Sequence, residues 1–119
     1  MIVAMADYKR SERVGDQIRM EIADILMTKV KDPRIGFVTV TSVAVSDDLR
    51  NAKVFISVLG AEAARSFQGL EKARSFIRSE LGRRMKLRFV PELSFHEDHT
   101  AEEAAKIFKL MDEMKEPRP

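Results

Sequence analysis

Seven cations crowd one short stretch of this chain: Lys72, Arg74, Arg78, Arg83, Arg84, Lys86 and Arg88. Between positions 72 and 88 only Glu80 opposes them. Most are arginines, whose planar fork donates two parallel hydrogen bonds to a phosphate. Such a run either grips a polyanion or simply keeps a helix face solvated. Lys9, Arg10 and Arg13 form a second, smaller cluster near the start. Other chemistries find little support. His96 and His99 flank Glu97-Asp98, but two imidazoles without a third firm ligand on a shared element make a poor metal site. Asp47-Asp48 is explained more simply as a turn than as a carboxylate pair. Cysteine is absent, which excludes disulfides, thiolate metal sites and a cysteine nucleophile. There is no glycine-rich phosphate loop and no nucleophile elbow. No catalytic residue, metal or cofactor is assigned.

The elements that must hold these cations fit one domain of 119 residues. The formal net charge is only +2, but it is unevenly spread. Residues 35–91 carry an excess of five positive charges, and residues 92–119 an excess of four negative ones. A basic body with an acidic end is a common footprint of a polyanion binder. No apolar run approaches the ~20 residues that span a bilayer. The opening Met1-Ile2-Val3-Ala4 is too short and uncharged to read as a signal peptide. A cytoplasmic protein is expected.

Residues 8–30 read as an amphipathic helix with Val14, Ile18, Ile22, Ile25 and Leu26 on one stripe. Asp32-Pro33 ends it, since the residue before proline avoids the α region. Residues 37–46 and 51–59 alternate and are β-branched, which predicts an antiparallel hairpin turning at Asp47-Asp48. Val38 and Val40 share one parity and Val43 and Val45 the other, so a bulge near Thr41-Ser42 is expected. Residues 62–85 are helical in composition, yet one straight helix would put Arg74 inside the apolar stripe and Phe76 outside it. Two helices, about 62–73 and 75–84, meeting at a kink over Ala73-Arg74-Ser75, remove both conflicts. Exposed N–H groups at such a break would add to the anion site. Residues 86–96 alternate as a third strand, with Pro91 arguing for an edge or a bulge. Phe37, Phe55, Phe67, Phe89 and Phe95 fall on core-compatible parities. Thr100-x-x-Glu103 is a capping box that opens a last helix, which Pro117 stops. Its apolar residues Ile107, Leu110, Met111 and Met114 would pack on the sheet or, alternatively, dock a partner protein. The order α-β-β-α-α-β-α implies an α+β domain, a three-stranded sheet with helices on one face. Residues 1–7 would be an extension, 8–97 the binding domain and 98–119 a C-terminal helix and tail.

Several segments together resemble one family, ribosome-binding factor A. They are Arg10-Ser-Glu-Arg13-Val-Gly-Asp-Gln-Ile18, Asp32-Pro33-Arg34 before Phe37-Val-Thr-Val40, Val43-Ala-Val-Ser-Asp-Asp-Leu49, Phe76-Ile-Arg78 through Leu87-Arg88, and Val90-Pro-Glu-Leu93 with Phe95. The resemblance covers nearly all of residues 5–115. It implies a type II KH-like fold with an Ala-x-Gly kink, here Ala73-Arg74-Ser75, with serine where the family has glycine. It also implies a non-catalytic role that needs no cofactor: binding of the free small ribosomal subunit through 16S rRNA, help in its late maturation, and a link to growth in the cold. A monomer acting without a membrane is expected, with the cations above and the kink residues as the RNA-binding set.

Overall fold

In the computed structural model, residues 9–60 and 62–115 are described. The extension 1–7, Tyr8 and Pro117 lie outside them. The order is α1 (Arg10–Thr28), β1 (Val38–Val45), β2 (Asn51–Val58), α2 (Ala63–Met85), β3 (Glu92–Glu97) and α3 (Thr100–Lys115).

The α1 stripe buries as its spacing demands. Ile18, Ile22 and Ile25 are fully buried, and Val14 and Leu26 pack at the margin. Burying each isoleucine contributes about 2 kcal/mol. The helix stops where Lys29 and Val30 both donate to the Ile25 carbonyl. Asp32 then folds the chain by accepting from the Arg34 backbone N–H and from its guanidinium, at 2.9 and 3.0 Å.

The sheet runs β1-β2-β3, with β1 antiparallel and β3 parallel to the central β2. The ladder shifts register between Val40 and Ser42, so the expected bulge is present. It returns Val43 and Val45 to the face of Val40. Ala52, Val54 and Ile56 of β2 are fully buried on that face, with Leu93 of β3 beside them. α1 and α2 cover it, the latter through Leu70, Ile77 and Leu81. α1 comes unusually close to β1. A Cβ on Gly15 would lie 2.6 Å from the Val43 carbonyl oxygen, a backbone atom with little room to yield. Gly15→Ala is therefore expected to destabilise the fold by about 1–3 kcal/mol through overpacking, despite alanine's better helix propensity. Urea unfolding monitored by circular dichroism would measure it.

Three expectations require correction. First, no break at 73–75 separates two helices: α2 is one continuous helix, so the observed order is α-β-β-α-β-α. Serine costs a helix less than glycine does, and Ala73 and Arg74 are good helix formers. The two conflicts resolve through exposure. Arg74 extends its guanidinium to the surface, and Phe76 stays 47 % exposed. Second, the last strand starts at Glu92 rather than 86, because the ladder with β2 begins opposite Asn51. α2 instead ends at Lys86 in a left-handed conformation, with φ 54°. Pro91, buried, immediately precedes the edge strand, where its missing N–H costs nothing. Third, α3 does not pack on the sheet. Among the described residues it makes no extended contact with another element, and Ile107, Phe108, Leu110, Met111 and Met114 are exposed.

The start of α3 is also capped differently from the expected box. Asp98, not Thr100, supplies the cap, its Oδ1 accepting from the Thr100 N–H at 2.9 Å. Its Oδ2 accepts from the Thr41 hydroxyl at 2.6 Å, which ties the strand end to the bulge. Hydrogen bonds from Thr100 and then Thr41 lower the Asp98 carboxyl from 3.8 to about 2. The Arg34 guanidinium does the same for Asp32. A depressed folded pKa gives stability that is present above the unfolded value and lost as pH falls through the folded one. The melting temperature should therefore drop between about pH 4 and about pH 2. Asp98→Asn should lower it at neutral pH and flatten that acid limb. An unchanged limb in both Asp98→Asn and Asp32→Asn would contradict the assignment.

Candidate nucleic-acid interface

Two adjoining cavities open where α2, the approach to β3 and the hairpin turn converge. The first, about 450 Å³, is lined by Arg74, Ser75, Arg78, Ser79, Arg88, Phe89, Val90 and Glu92. The second, about 750 Å³, shares Arg78, Arg88, Phe89, Val90 and Glu92, and adds Arg10, Asp48, Leu49, Arg50 and Leu87. Arginines from four separate parts of the chain thus meet around one surface.

The positions of two arginines are set by backbone acceptors. Arg78 donates from Nε to the Pro91 carbonyl at 3.0 Å and from Nη2 to the Val90 carbonyl at 2.7 Å. Nη2 also lies 3.3 Å from Glu92 Oε1. Arg74 reaches the Leu93 carbonyl at 3.5 Å and Glu71 at 3.6 Å. Both guanidiniums remain partly exposed, so they can hold the loop and still present positive charge outward. Arg50 is brought alongside because its carbonyl accepts the Glu92 N–H at 2.8 Å. Asp48 shapes the hairpin turn, accepting from the Ser46 hydroxyl and the Arg50 N–H, and these bonds lower its pKa.

The twelve positions singled out in the sequence therefore divide. Arg10, Arg74, Ser75, Arg78 and Arg88 line the cavities. Ala73 packs at the edge of the core. Lys9, Arg13 and Lys86 are exposed outside the cavity lining, as is Lys72, whose charge helps lower the pKa of Asp32. Arg83 pairs with Glu80. Arg84 is a clamp between helices: it meets Asp24 at 2.6 Å, Glu21 at 3.3 Å and Glu80 at 3.6 Å, with its side chain only 18 % exposed. Those carboxylates raise the pKa of Arg84, the Asp24 bond most strongly. Sequence reasoning missed Arg50 and placed Phe89 in the core. Phe89 is 79 % exposed, with the Arg88 guanidinium carbon 5.5 Å from its ring centroid. Phe37 is likewise 80 % exposed, and Phe55 lies half-buried on the sheet's other face against His96, centroids 5.5 Å apart. Phe67 and Phe95 pack against the core.

His99 stands between Glu97 and Glu102, its ring nitrogens 3.6 and 3.4 Å from their carboxylates. His96 turns away to the Ser94 hydroxyl at 2.9 Å. Among the described residues no helix is long and apolar enough to cross a membrane.

Arg10, Arg50, Arg74, Arg78 and Arg88 thus meet at one corner of a small α+β domain. The model of the family described as ribosome-binding factor A matches residues 10–111, and the chain belongs to that family. It is 53 % identical over 107 residues to the Staphylococcus carnosus ribosome-binding factor A, covering 88 % of this chain and 93 % of that one. Its fold is similar to the solution structure of a Thermotoga maritima protein given as a candidate member, at TM-score 0.67 and 30 % identity, covering 76 % and 89 % of the two chains. It is also similar to a homology model of the Thermus thermophilus ribosome-binding factor A fitted into a cryo-EM map of a 30S complex, at TM-score 0.60 and 26 % identity, covering 71 % and 91 %.

Proposed function

We propose that this chain binds the immature small ribosomal subunit through 16S rRNA and assists its late maturation, as a cytoplasmic, monomeric factor without catalytic activity. The convergence of Arg10, Arg50, Arg74, Arg78 and Arg88 on one surface carries this reading. Its family membership and the Thermus relative's fit to a 30S complex support it. The arginines supply phosphate affinity, and the fixed shape of the corner supplies selectivity for folded rRNA. The mixed sheet with α2 packed along it suits the KH-like reading. Cold-sensitive growth on loss of the gene is expected from the same role.

Co-sedimentation with small subunits, large subunits and naked rRNA across a salt series tests the proposal. Binding confined to the small subunit and weakening with salt is expected. Equal binding to every RNA would reduce the chain to a generic basic domain.

A second reading has its own observation. The exposed apolar residues of α3 would suit a partner protein's groove. Because α3 contributes nothing to the core, removing residues 100–119 should leave a folded domain. If that truncation still binds the small subunit at full strength, α3 serves another partner.

A further inference from the structure

We propose that Phe89 is a stacking platform for one unpaired nucleobase, which the two adjoining cavities admit while the surrounding arginines hold its flanking phosphates. This rests on the RNA-binding reading above and names the chemistry that the corner selects: single-stranded RNA with a base turned out of its stack.

Exposure of a phenylalanine is not enough, since Phe37 is equally exposed. Three observations set Phe89 apart. First, the backbone that follows it is held in place. Arg78 grips the carbonyls of the next two residues, Val90 and Pro91. Val90 sits so close to α2 that a Cβ on Gly82 would lie 2.6 Å from its Cγ2. Val90 also precedes proline, which confines it to extended backbone. The ring is thus presented by a fixed loop, and little ordering entropy remains to be lost on binding. Second, Phe89 borders both cavities, and their volumes of about 450 and 750 Å³ suit a base and its sugar. Third, its neighbours are complementary to a nucleotide: Arg88 at the ring, Arg74 and Arg78 in one cavity, Arg10 and Arg50 in the other. An aromatic face takes any base, and arginines beside it take the phosphates on either side.

The test uses the chain's lack of tryptophan. Phe89→Trp, Phe89→Ala and the unaltered protein are titrated with a short single-stranded oligoadenylate and with the same backbone bearing abasic riboses. The unaltered protein should prefer the base-bearing strand about tenfold. Phe89→Ala should bind both strands equally, at the abasic level, with its melting temperature unchanged because the ring is outside the core. Phe89→Trp should retain the preference, and its fluorescence should be quenched by the base-bearing strand alone. An unchanged preference in Phe89→Ala overturns the proposal while leaving salt-dependent subunit binding intact. Loss of subunit binding in Phe89→Ala with no change on either oligonucleotide overturns it too, and points to a protein contact at the ring. If the unaltered protein binds neither oligonucleotide nor subunit, the RNA-binding reading itself fails.

Discussion

Arg74→Glu combined with Arg88→Glu should weaken small-subunit binding about a hundredfold at moderate salt, equivalent to about 2.7 kcal/mol. Both side chains line the first cavity and both are exposed, so reversing them turns attraction for phosphate into repulsion without disturbing the core. The salt dependence of the residual binding should become shallower, because fewer phosphates are neutralised. Arg78 is a poorer choice for this test. Its reversal would also unpair the Val90 and Pro91 carbonyls and loosen the loop before β3. Arg84→Glu is the informative contrast: it should lower the melting temperature by breaking the contacts with Asp24, Glu21 and Glu80, while protein that remains folded still binds. Equal affinity of the Arg74/Arg88 double variant and the unaltered protein would remove the site from this corner.

The largest effect on stability is expected at Ile56→Ala, a loss of about 3–4 kcal/mol. Ile56 is fully buried on the central strand, in the cluster that joins the sheet to both α1 and α2. Truncating it leaves a cavity that its neighbours from the sheet, α1 and α2 cannot collapse into together. For a domain of this size the melting temperature should fall by about 10–20 °C. Thermal unfolding followed by circular dichroism would show it, and a shift of only a degree or two would mean that the core repacks far more freely than its burial implies.

Much of the architecture could be read from residue spacing. Ile18, Ile22 and Ile25 recur at helical intervals with nothing to contradict them, and the parity switch between Val40 and Val43 announced a bulge. The errors arose where local pattern and tertiary context diverge. At 73–75 the pattern treated Arg74 in an apolar stripe as a contradiction, yet a long side chain can leave its stem at the margin and carry its charge out. At Phe89 the alternation of residues 86–96 continued past the point where strand pairing begins, so parity no longer reported burial. Arg84 could not be told from its neighbours, since its partners Glu21 and Asp24 come from a helix some sixty residues away. Arg50 was invisible for the converse reason: only the β2–β3 pairing brings it beside the cationic run.

The bulge at Thr41 bears on how this protein behaves in a crowded solution. Among the described residues β1 and β3 are the free edges of the sheet, and an unpaired edge is a template on which another chain can add a strand. At β1 the register shift breaks the regular spacing of the outward backbone groups, and the Thr41 hydroxyl is already committed to Asp98. At β3 the strand is only six residues long, bounded by Pro91 before it and the capped turn into α3 after it. Neither edge offers a long, flat row of donors and acceptors. The fold thereby gives little purchase to edge-to-edge aggregation, although its cationic corner is left exposed.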